Sequence, residues 1–108
     1  MQGAVDALHA ATIALGISDV AAIRTRAIAR TDYRIADGNP ANGFVHVVAR
    51  IRIGRTDDQK TTLGQALLSS VETSLAQAFM THPLAVTVEI HDITQPTFRR
   101  NTIRNSDG

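Results

Sequence analysis

Residues 44–55 read FVHVVARIRIGR, and the rest of the chain is arranged around this stretch. Val45, Val47, Ala49, Ile51 and Ile53 fall on one side of an extended chain, and Phe44, His46, Val48, Arg50 and Arg52 on the other. That period of two marks a pleated strand. The first set is a core face. The second is too apolar at one end for open solvent and too charged at the other for a core. A sheet covered by helices on one side and by another subunit on the other accounts for both. Gly54 and Arg55 close the strand, and Thr56-Asp57-Asp58-Gln59 follows with the capping-box arrangement: a hydroxyl to cap, a Gln three residues on, and two carboxylates in the positive first turn.

Downstream, Leu63, Leu67, Val71, Leu75 and Phe79 trace one helix face from about Asp57 to Met80, with Lys60, Gln65, Ser69 and Glu72 opposite. His82-Pro83 stops this helix, because the residue before proline is pushed out of the α region. Leu84, Val86, Val88 and Ile90 then alternate with Ala85, Thr87, Glu89 and His91 as another strand, and a polar, basic tail runs from Pro96. Upstream, Asp37-Gly38-Asn39-Pro40 to Gly43 is turn chemistry. Ile23 to Arg34 alternates weakly and predicts a strand. Gln2 to Leu15 repeats Val5, Leu8, Thr12 and Leu15 at helical spacing, and Gly16 follows as a C-terminal glycine.

The second half is therefore strand, helix, strand, with a connection long enough for a parallel crossover. The first half is helix, strand. Laid over each other the halves match if one further strand is supplied before Met1, so the repeat predicts a strand that these residues lack. The expected fold is α/β (α+β): a tandem βαβ repeat with its sheet covered by two helices on one face, here without the first strand.

With 108 residues, 44 % of them apolar, the chain forms a single domain over residues 1–108. The net charge of +1 argues against a nucleic-acid binder living on a basic field, and Arg99, Arg100 and Arg104 in the tail lack the aromatic interleaving of a single-strand platform. Ten of the eleven basic residues are arginine, the bidentate partner of carboxylates, although a GC-rich genome gives the same excess. The absence of cysteine excludes disulfides, thiolate nucleophiles and sulfur-ligated metals. No apolar run approaches a membrane span and no signal-peptide pattern opens the chain, so a cytoplasmic protein is expected.

Two arginines stand out. Arg55 sits at a strand-to-helix junction, where free backbone N–H groups and the helix dipole favour an anion, and Arg24 opens the strand after the first helix. An exposed arginine at an element end explains either one singly; together they occupy matching places in the two half-repeats. His9, His46, His82 and His91 show neither metal spacing nor i, i+4 pairing and read as structural or exposed. No nucleophile elbow and no glycine-rich phosphate loop is present.

The segments Ala22-Ile23-Arg24-Thr25-Arg26, Ala36-Asp37-Gly38, Phe44-Val45-His46-Val47, Gly54-Arg55-Thr56, Val88-Glu89-Ile90 and Arg100-Asn101-Thr102-Ile103, in this order, resemble the 5-carboxymethyl-2-hydroxymuconate isomerase family of the tautomerase superfamily. The resemblance runs from the first helix to about Arg104. It implies a homotrimer of two βαβ repeats per subunit, no metal and no organic cofactor, and a proton shift on an unsaturated dicarboxylate or tricarboxylate in aromatic catabolism. It further implies two arginines that hold substrate carboxylates, which fall on Arg24 and Arg55, and an amino-terminal proline base at the start of the first strand. That proline has no counterpart here, since Met1-Gln2-Gly3 stands where the family's first helix begins. An α-amino group titrates near about 7.7 to 8.0, and cationic neighbours lower it until a useful fraction is neutral. Without the base the arginines only bind.

The expected activity is thus an isomerase of the 5-carboxymethyl-2-hydroxymuconate type. Two other readings stand beside it: an oligomeric binding protein for acidic small molecules that has lost the proline, and a general tautomerase acting on another 2-hydroxydienoate.

Overall fold

The computed structural model describes residues 2–104; Met1, with its amine, and the last four residues of the basic tail lie outside the described residues. Helix α1 spans Gln2–Leu15, a 3₁₀ turn follows at Val20–Ala22, and strand β1 spans Gly43–Arg52. Helices α2 (Asp57–Ser74) and α3 (Ala76–Thr81) lead to strand β2, Leu84–Ile93. β1 and β2 pair in parallel, with Gly43 opposite Leu84 and Arg52 opposite Ile93, so α2 and α3 form the crossover.

The alternation in residues 44–52 is realised in the sheet. Val45, Val47, Ala49 and Ile51 are wholly or partly buried while Phe44, His46, Val48, Arg50 and Arg52 are exposed, and Val86, Val88 and Ile90 repeat the pattern on β2. Ile53 departs from expectation at 68 % exposure. It lies past the last ladder pair, where the chain turns through Gly54 at φ 113°, a conformation that needs the absence of a Cβ. At the opposite end of the strand the constraint is space: a Cβ on Gly43 would lie 2.6 Å from a Leu84 methyl.

Leu63, Leu67 and Val71, spaced four apart on α2, are the most buried side chains, and Ile51 joins them from the sheet. Leu8 and Leu15 of α1 close over this cluster from the same side, so both long helices lie on one face. The apolar stripe does not run on as one helix to Met80. At Leu75 the backbone leaves the helical region (φ −107°, ψ 20°), and Phe79 on α3 is 38 % exposed. The chain still bonds Leu75 N–H to the Val71 carbonyl and Phe79 N–H to the Leu75 carbonyl, so the break is a local kink. As expected, His82 before Pro83 is extended, at φ −137° and ψ 144°.

The strand predicted for Ile23 to Arg34 is absent: these residues enter no sheet ladder. The physical reason is partnership. A strand exists only where a neighbour takes its N–H and C=O groups, and β1 pairs with β2 alone among the described residues. Ile28, in this segment, accordingly sits outside the sheet and is 65 % exposed. The segment is held by side chains instead, with His9 Nδ1 2.8 Å from Thr25 Oγ1 and Tyr33 edge-on to Phe44 at 6.1 Å.

Candidate active site

Arg55 is positioned by the turn between β1 and α2. Thr56 caps α2, its hydroxyl accepting from Gln59 N–H at 3.1 Å, while the Gln59 side-chain oxygen accepts from Thr56 N–H at 2.9 Å. The box therefore occupies two of the amides that the sequence left open for an anion. The guanidinium turns back towards α1. Its Nε and Nη2 both donate to the Ile17 carbonyl, the first at 3.1 Å, and Nη2 lies 3.4 Å from Ser18 Oγ. Nη1 reaches the Arg52 carbonyl at 3.5 Å, the edge of bonding range.

Arg24 stands at the other end of the same linker. It follows the 3₁₀ turn, its side chain is exposed, and it forms no hydrogen bond or ion pair with the described residues. The structure thus brings both arginines to the linker after α1, one gripping its start and one carried by its end. Neither arginine lines either of two grooves among the described residues. A groove of about 440 Å³ runs between α2 and β2, lined by Lys60, Gly64, Leu68, Val86 and Ile90, and a smaller one of about 180 Å³ lies where Leu15 and Ile17 meet Asp58, Gln59 and Thr62. The second touches the linker on the Arg55 side.

Three features had no signal in the residue pattern. Asn101 in the tail donates through Nδ2 to the Ala21 carbonyl at 2.9 Å across eighty residues of chain. Lys60 and Asp92 pair at 2.7 Å beside the larger groove, and the Lys60 ammonium is held above its usual range, chiefly by that hydrogen bond. On the exposed sheet face, Glu89 Oε2 lies 2.9 Å from His46 Nε2 and 3.4 Å from His91 Nε2. The Glu89 carboxyl is held below the usual carboxylate range, first by the His46 hydrogen bond, which burial opposes as the next largest effect, and then by the charge of His46 and of His91. Among the described residues no group of His, Asp and Glu is placed to hold a metal ion.

A family model described as 5-carboxymethyl-2-hydroxymuconate isomerase matches residues 1–106. The chain belongs to this isomerase family. A curated family relative, the 5-carboxymethyl-2-hydroxymuconate Delta-isomerase of Escherichia coli, is 29 % identical over 92 residues, covering 83 % of this chain and 72 % of its own. The crystal structure of a 5-carboxymethyl-2-hydroxymuconate isomerase from Deinococcus radiodurans R1 superposes with a TM-score of 0.86 at 28 % identity, over 92 % of this chain and 76 % of that one. A second solved structure, a 5-carboxymethyl-2-hydroxymuconate delta-isomerase, reaches 0.84 at 16 % identity over 93 % of this chain and 76 % of that one, a likeness of fold alone. The mixed α/β architecture with its parallel strand pair is thus the fold of this isomerase family. No helix in residues 2–104 is long and apolar enough to cross a membrane.

Proposed function

We propose that this protein acts as a cofactor-independent isomerase that moves a proton within an unsaturated 2-hydroxy or 2-oxo dicarboxylate or tricarboxylate of the 5-carboxymethyl-2-hydroxymuconate type, in aromatic catabolism. The observation that carries the reading is the family match over residues 1–106. It favours an isomerase over a carboxylate-binding module.

In this reading Arg24 and Arg55 hold the substrate carboxylates and stabilise charge that spreads over the dienolate as the proton leaves. Among the described residues nothing takes the donors of Arg24, which leaves them for a ligand. Arg55 exchanges the Ile17 carbonyl for a carboxylate, which accepts charge-assisted hydrogen bonds about twice as strong as those of a neutral carbonyl. Its present contacts are two carbonyls and a hydroxyl, none of which is a base. The family resemblance puts the base on an amino-terminal amine, and a strand carrying it would fit between β1 and the extended segment that follows the 3₁₀ turn. Among the described residues one edge of β1 has no ladder partner and segment 23–34 enters no ladder, which supports that arrangement.

The test is an ultraviolet assay on 2-hydroxymuconate-type dienols, with residues 1–108 compared against the product of the same gene read from further upstream. Little turnover is expected from residues 1–108 alone, and turnover from the extended chain. Equal rates would remove the amino-terminal amine from the mechanism, and an inert extended chain would overturn the isomerase reading.

A further inference from the structure

The linker between α1 and Arg24 is held at two carbonyls by side chains from far away in the sequence. Arg55 grips Ile17, and Asn101 grips Ala21 at 2.9 Å. Between them the 3₁₀ turn closes on itself, with Ala22 N–H on the Asp19 carbonyl at 2.9 Å and Ile23 N–H on the Val20 carbonyl at 3.1 Å. Arg24 comes next, and Thr25 beyond it lies 2.8 Å from the His9 ring of α1. The backbone of Arg24 is therefore fixed on both sides while its side chain stays exposed. Asn101 is itself oriented: its Oδ1 accepts from Ile103 N–H at 2.9 Å, which directs Nδ2 at Ala21.

A cation on a fixed backbone binds an anion with less ordering cost than one on a loose loop. Exposed linkers are loose unless tied, and here the tie nearest Arg24 from outside the linker and α1 comes from the tail. We infer that Asn101 is a positioning residue for Arg24, holding the 3₁₀ turn so that the guanidinium meets the substrate carboxylate already placed. This rests on the reading of Arg24 as a carboxylate-binding group.

Asn101→Asp tests it, because the side chain keeps its shape and its acceptor for Ile103 N–H but loses the donor to Ala21. Calorimetric titration with cis,cis-muconate compares the starting protein, Arg24→Ala, Asn101→Asp and the double variant. Asn101→Asp is expected to weaken binding about fivefold to tenfold, the scale of one hydrogen bond. On the Arg24→Ala background it is expected to add nothing, since the two act through one contact. Should the new carboxylate prevent folding, Asn101→Ala completes the same cycle. An equal loss with and without Arg24 would show a general structural role and overturn the inference. So would unchanged binding by Asn101→Asp while Arg24→Ala weakens it. Unchanged binding by Arg24→Ala would overturn the reading beneath the inference as well.

Discussion

Arg55 has two tasks that compete at the scale of one side chain. It ties α2's entry to the linker after α1, and in the proposed function it receives a carboxylate. Arg55→Ala is expected to weaken binding of a dicarboxylate competitor by about 1.5 to 3 kcal/mol, the range for charge-assisted hydrogen bonds, and titration calorimetry measures it. An unchanged dissociation constant would leave Arg55 as a structural tie only. Glu89 gives a prediction of a different sign. Its carboxyl is held below the usual range, so the folded state binds that proton less well than the unfolded chain. The stabilisation is present above the ordinary carboxylate range and is lost as pH falls through the lower folded value. Glu89→Gln is therefore expected to lower the melting temperature above about pH 5 and to flatten the fall on the acid side, so that the two profiles converge at low pH. A parallel downward shift at all pH values would instead point to lost packing.

At the scale of elements, α2 carries most of the buried core. Leu67 is 3 % exposed and packs between Ile51 and Leu63 in one apolar cluster. Leu67→Ala is expected to cost about 2 to 5 kcal/mol through lost burial and the cavity left behind, read from urea unfolding. A cost below about 1 kcal/mol would mean that α1 closes over the vacancy. Elements were legible where the pattern was local. The Thr56 to Gln59 box, the β1 alternation and the His82-Pro83 stop all depend on neighbours within a few residues. Ile23 to Arg34 alternates as a strand does, yet no ladder partner for it stands among the described residues. The kink at Leu75 was missed for the complementary reason: an apolar stripe records which side faces inward and carries little information about backbone angles.

At the scale of the molecule, one sheet face has no helix over it among the described residues. Phe44 and Val48 are each about half exposed there, with Tyr33 beside them. Large apolar side chains left open on a sheet face mark an association surface. The protein is expected to sediment as an oligomer, a homotrimer if the family resemblance extends to assembly, and Phe44→Glu to shift it towards monomer. A strictly monomeric species at micromolar concentration would count against that face as an interface. The candidate site was only half legible at this scale. Arg55 is a candidate from its place at a strand-helix junction, and Arg24 from its place in the matching half-repeat. The hold of Asn101 on Ala21 has no counterpart in any local pattern.

The order of the amino acids by itself determined the helix at Gln2–Leu15, the parallel strand pair, the capped start of α2 and the family to which the chain belongs. Each of these follows from periodicity, capping chemistry or motif order along a continuous stretch. Tertiary structure alone decided that Ile23 to Arg34 forms no strand, that Arg55 reaches back to Ile17, and that the tail returns to secure the turn before Arg24. Those outcomes depend on which distant groups meet to satisfy a donor or an acceptor. Hydrogen-bond partners separated by tens of residues are chosen by packing and leave no period in the chain.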